Sequence, residues 1–86
     1  MANDADIEKK TLEFTRLCYF VWLERSDVSI DIPPRTTGEE FMFGSHIRKL
    51  KNLKAWFRRH GLRIPAYRNG KYPNADYAKE LARQLK

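Results

Sequence analysis

Four residues at helical spacing carry the most specific chemistry in this sequence. Arg48, Asn52, Ala55 and Arg59 stand at i, i+4, i+7 and i+11, which places them along one ridge of an α-helix. An arginine fork donates two parallel hydrogen bonds to O6 and N7 of guanine, and an asparagine amide matches N6 and N7 of adenine. A small Ala lets a helix backbone come close to base edges and can touch a thymine methyl. Lys51 and Arg58 flank the ridge, where phosphate oxygens would lie. Ser45 opens it, with a hydroxyl able to cap a helix and backbone N–H groups able to meet a phosphate. The other half of the same helix, with Ile47, Leu50, Leu53, Trp56 and Phe57, is apolar. A merely solvated basic face would carry Glu at i,i+4 from its Lys. This one carries none.

The surrounding charge points the same way. The 86-residue chain has a net charge of +6. Residues 1–43 hold five Lys/Arg against nine Asp/Glu, a net of −4, and residues 44–86 hold twelve against two, a net of +10. No acid occurs between Glu40 and Asp76, a stretch that carries Arg48, Lys49, Lys51, Lys54, Arg58, Arg59, Arg63, Arg68 and Lys71. Like charges repel, so a basic stretch this long implies an anionic partner. Double-stranded DNA is the leading expectation. Anionic membranes and acidic protein surfaces follow it.

Other chemistries find little support. The single cysteine, Cys18, excludes an internal disulfide and a multi-cysteine zinc site. His46 and His60 are 14 residues apart and better read as core-side and helix-end residues than as ligands. No nucleophile–base constellation, phosphate loop or close pair of carboxylates stands out. We therefore expect no enzyme, no cofactor and no small-molecule substrate. No apolar run approaches the roughly 20 residues of a membrane span, and Met1 to Asp4 opens without a signal-peptide apolar region. The expected setting is cytoplasmic, nucleoid-associated in a bacterium or phage, and not secreted.

The elements that must position the ridge follow from periodicity and turn chemistry. Residues 4–25 repeat as a helix. Val28 to Ile32 alternates as a strand and Pro33-Pro34 stops it. Thr37 and Glu40 form a capping box for a short helix to about Phe43. Gly44-Ser45 reads as a break, and a longer helix from Ser45 to His60 stops at Gly61. Leu62 to Tyr67 alternates again, Asn69-Gly70 suits a tight hairpin turn, and Lys71-Tyr72-Pro73 reads as the return strand. Asn74 caps a last helix, Ala75 to Leu85. Short helix, glycine turn and longer helix make a helix-turn-helix. The expected fold is α+β, mainly α, in one domain over residues 1–86. It is a winged helix-turn-helix with an N-terminal helix, a small β-hairpin wing and a C-terminal helix. Arg63, Arg68, Asn69 and Lys71 would then place a basic wing on the minor groove or backbone.

The run from Arg58 to Lys71 resembles the recognition-helix end and wing of excisionase and MerR-type winged-helix proteins. In those, a basic helix end and a glycine lead into an Ile-Pro-Ala-x-Arg-x-Gly strand and turn, matched here by Ile64-Pro65-Ala66-Tyr67-Arg68-Asn69-Gly70. The resemblance covers about 14 of 86 residues and implies DNA binding with a wing contact, in transcription regulation, replication or recombination. Two departures stand beside it. The family has no long helix before its helix-turn-helix, and its recognition helix is about one turn shorter.

A second apolar stripe on the first helix, Leu12, Tyr19 and Leu23, must be covered. Either Tyr77, Leu81 and Leu85 cover it, or it is a homodimer interface, which would predict a palindromic site. Two other functions compete. One is an RNA or single-strand binder that stacks bases on Trp56, Tyr67 and Tyr72. The other is a protein-interaction module that docks an acidic partner.

Overall fold

The computed structural model describes residues 2–25 and 37–86, with side chains in the second stretch from Gly44 onward. Three helices organise them: α1 (Asp4–Arg25), α2 (Thr37–Arg59) and α3 (Ala75–Arg83). The expected strand at 28–32 and its Pro33-Pro34 stop lie outside the described residues.

Helix α1 has the expected bounds. Asn3 caps it, its Oδ1 accepting from the Asp6 N–H at 2.8 Å, and Asp4 and Asp6 in the first turn suit the helix dipole. Ile7, Phe14, Cys18 and Val21 are buried along its inner face. Thr11 and Thr15 are buried among them. Their hydroxyls donate back to the carbonyls of Ile7 (2.7 Å) and Leu12 (3.0 Å), so neither polar group is left without a partner. Both other helices pack on α1. A broad buried arc on α1 is the result, with Leu17 and Trp22 half-buried at its margins.

Helix α2 departs from the expected helix-turn-helix. It is one continuous helix of 23 residues that runs through Gly44 and Ser45. A mid-helix glycine costs only about 1 kcal/mol relative to Ala. Breaking there would leave a helix of roughly two turns to be nucleated on its own, so continuation wins. Ser45 therefore lies inside the helix rather than capping it. The stop at Gly61 does occur. Gly61 takes φ +70°, its N–H donates to Arg58 O (3.1 Å), and the Leu62 N–H donates to Phe57 O (2.9 Å). This is a Schellman termination, which needs a residue tolerant of positive φ.

The β-hairpin wing is also absent: the described residues contain no β-strand. The expected outgoing strand is extended, but its donors go elsewhere. Arg63 N–H bonds to Leu85 O at 3.0 Å, satisfying the end of α3. Arg68 N–H bonds to the Tyr77 hydroxyl at 2.9 Å. Pro65 has no N–H to offer a partner strand. Residues 68–71 do form a turn, closed by Lys71 N–H to Arg68 O at 2.9 Å, with Gly70 at φ +83°. No ladder flanks it. Among the described residues the fold is thus mainly helical, three helices plus an extended connection with no sheet, and not the expected α+β winged helix.

Helix α3 starts where Asn74 predicts, with its Oδ1 accepting from Tyr77 N–H at 2.8 Å, and its regular turns end at Arg83 rather than Leu85. The core joins Ile7, Phe14, Cys18 and Val21 of α1, Leu50, Leu53 and Phe57 of α2, and Ala82 and Leu85 from the C-terminal end. Leu62, Ile64 and Tyr67 of the connection pack against it.

Candidate nucleic-acid interface

Core packing decides which half of α2 is free. Ile47, Leu50, Leu53 and Phe57 are buried, with Phe57 edge-on to Phe14 at 6.1 Å. His46, Lys54 and Trp56 are half-buried at the edges. Ser45, Arg48, Lys49, Lys51, Asn52, Ala55, Arg58 and Arg59 are all exposed. Arg48, Asn52, Ala55 and Arg59 therefore lie on one free ridge, about 16 Å long at 1.5 Å per residue. Among the described residues no ion pair neutralises Arg48, Lys49, Lys51, Arg58 or Arg59. The acids of α2, Glu39 and Glu40, stand in its first turn, away in sequence from this stretch, and Asp4 of α1 pairs with Lys86. The basic half of α2 is a face whose charge is uncompensated within the protein. Lys49, missing from the ridge read in the sequence, is exposed at the margin of this half, where it lines a groove with Leu12, Glu13 and Arg16 of α1. Its position at the edge of the wheel, next to Trp56, hid it.

The other predicted residues are placed differently. Arg63 is exposed just beyond the end of α2. Arg68, Asn69 and Lys71 are exposed on the 68–71 turn, but that turn is not a wing beside the end of α2. It stands on the C-terminal part of α1: a methyl group added at Gly70 would lie 3.5 Å from the Trp22 ring. The end of α2 is at the other end of α1, where Lys10 Nζ sits 5.7 Å from the Trp56 ring centre. Lys10 and Trp22 are twelve residues apart on α1, about 18 Å. The turn is held from beneath by Tyr77, through the Arg68 bond and with Lys71 Nζ 5.7 Å from its ring centre.

The aromatic residues that a single-strand binder would use are not brought together. Tyr67 is half-buried, edge-on to Tyr77 at 6.4 Å rather than facing Tyr72. Burial raises its phenol pKa, against the lowering effect of the Gly70 backbone N–H. Tyr72 packs on Tyr19 at 5.7 Å. Trp56 packs on Phe57 (5.1 Å) and His60 (4.4 Å) near the start of α1. Tyr19 and Lys10 are nine residues apart, so Tyr72 and Trp56 occupy stations about 13 Å apart along α1. His46 stacks on Phe20 at 6.0 Å, far from His60 in sequence and in contact.

The second stripe of α1 is covered only in part. Tyr19 is half-buried under Tyr72, Leu12 is half-buried, and Leu23 is exposed. The covering residue for Tyr19 is thus Tyr72 of the connection, not Tyr77, Leu81 or Leu85. No helix among the described residues is long and apolar enough to cross a membrane. No family model matches the chain, and comparison with curated proteins and solved structures finds no significant likeness, so the excisionase and MerR-type resemblance rests on residues 58–71 alone.

Proposed function

We propose that this protein binds double-stranded DNA, with the exposed face of α2 in the major groove, in the service of transcription regulation, replication or recombination. One observation carries this reading: residues 45–59 of a long helix hold no acid, and their solvent-facing half has an Arg–Asn–Ala–Arg ridge at its centre. A major groove admits a single α-helix. Arg48, Asn52 and Arg59 reach base edges, Ala55 permits the close approach, and Lys49, Lys51 and Arg58 neutralise phosphates on either side. The scattered aromatics favour a duplex over an unpaired strand, which needs a contiguous stacking platform. Arg63 and the 68–71 turn add positive potential but are given no groove.

The test is selection of the purified chain against a random duplex library at physiological salt. We expect an enriched motif, and a logarithmic salt slope of about −5 if six phosphates are neutralised. Salt-sensitive binding without any motif, or tighter binding to single strands or RNA, would overturn the major-groove reading.

A further inference from the structure

One groove of the molecule combines an apolar floor with a basic rim. It encloses about 380 Å³ and is lined by Lys9, Leu12, Glu13, Arg16 and Leu17 of α1 and by Lys49 of α2. Leu12 and Leu17 are half-buried and form the floor, and Lys9, Glu13, Arg16 and Lys49 are exposed around them. Arg16 also lines a neighbouring groove of about 440 Å³. There Phe20, 52% exposed, and Tyr72, 66% exposed, add apolar surface. Clustered exposed apolar area with a polar rim marks an interaction surface. From Lys9 to Phe20 the face runs about 16 Å along α1, or three helical turns.

Charge selects the occupant. The two grooves together are lined by three cations, Lys9, Arg16 and Lys49, and by one acid, Glu13. Adding Glu24, which stands one turn beyond Phe20 and lines neither groove, still leaves the face basic. Among the described residues none of these five is held in an ion pair. A second copy of this face would bring the same excess of positive charge and be repelled. A phosphate backbone would satisfy the cations, but it would leave Leu12, Leu17 and Phe20 without apolar partners. We propose that this face takes an acidic amphipathic helix of a partner protein. The helix lies along α1 with its apolar stripe on Leu12, Leu17 and Phe20 and its carboxylates against Lys9, Arg16 and Lys49. This is recognition of a helix in a groove, with apolar anchors one turn apart. Glu13, set between Lys9 and Arg16, repels an unbroken acidic run, so a polyacid fits worse than an amphipathic segment. The site is separate from the Arg48–Asn52–Ala55–Arg59 ridge and does not rest on the nucleic-acid reading. Lys49 stands at the margin of both and is left unchanged in the test.

The probe is a fluorescein-labelled synthetic helical peptide of four turns, with Leu at i, i+4, i+7 and i+11 and Glu on both flanks of that stripe. Titrated with the full chain and followed by fluorescence anisotropy, it should bind saturably in the micromolar range. Amide NMR shifts should map to α1 between Lys9 and Phe20 and to the surroundings of Lys49. Arg16→Glu changes an exposed side chain and should weaken binding by about tenfold or more, because it sets like charges face to face. A peptide with Lys in place of Glu should bind that variant more tightly than it binds the parent chain. Polyglutamate of the same length should bind the parent about tenfold more weakly than the amphipathic probe. Binding no tighter than millimolar, equal affinity for polyglutamate, an R16E variant that binds as the parent does, or shifts centred on Asn52 to Arg59 would overturn the proposal. So would phosphatidylserine vesicles or duplex DNA that displace the peptide from the parent and lose their own binding in R16E.

Discussion

Arg48 and Lys51 lie three residues apart on the exposed half of α2, yet they are given different work. Arg48 sits on the central ridge and Lys51 to its side. Arg48→Ala should relax preference at one base position and cost about 1–3 kcal/mol for the preferred site. Lys51→Ala should weaken binding to all duplexes alike and reduce the salt slope by about one. Equal, sequence-independent losses would sink the assignment of the ridge. Cys18 supplies a residue-scale prediction of another kind. Burial pushes its thiol from 9.0 up to about 12, so the folded protein binds that proton more tightly than the unfolded chain. Its contribution to stability is complete below about pH 9 and is lost progressively as pH rises toward 12. The folded chain should resist a thiol reagent at pH 8 and react at once in denaturant. Denaturant midpoints of the parent should fall more steeply above pH 9 than those of Cys18→Ala. Parallel curves would refute the linkage.

At the scale of elements, the continuity of α2 is the feature that reorganises the reading. A glycine that ends one helix before another begins commonly takes positive φ, and Ala there would be strained. A glycine inside a helix is merely a weak helix former. Gly44→Ala should therefore stabilise this protein by about 0.5–1 kcal/mol, read as a higher thermal midpoint. Destabilisation would restore the two-helix arrangement. Local chemistry was legible where a single residue decides it: Asn74 as a cap, Gly61 as a stop, and the Asn69-Gly70 turn all act at their predicted positions. The hairpin was not legible. Alternation at 62–67 signals an extended chain but cannot name the partner of its donors, and Arg63 and Arg68 found theirs in Leu85 and Tyr77.

Across the whole molecule, one core holds all the described elements to α1. Phe57 is fully buried and touches Phe14, and the same cluster takes in Leu50 and Leu85. Phe57→Ala should cost about 3–5 kcal/mol, a large share of the stability of a chain this small. Chemical denaturation should show one cooperative transition at a lower midpoint. Loss of α2 alone, with α1 and α3 intact, would contradict a shared core. The same packing leaves Arg48, Lys51, Arg58 and Arg59 exposed on an acid-free stretch of α2.

By itself the sequence determined the bounds of α1, the stop at Gly61, the cap at Asn74, and the division of residues 45–60 into an apolar half and a basic half. These depend on periodicity, backbone preference and charge order, which are local properties. Only the tertiary structure decided that Gly44-Ser45 is helix rather than turn, and that the extended segment docks on α1 and α3 instead of pairing with itself. It also decided that Tyr19 is half-buried under Tyr72 while Phe20 and Leu23 stay exposed. The first is settled by one glycine's cost against that of nucleating a second short helix, the others by which distant group offers a better contact, and a one-dimensional pattern does not weigh these competitions.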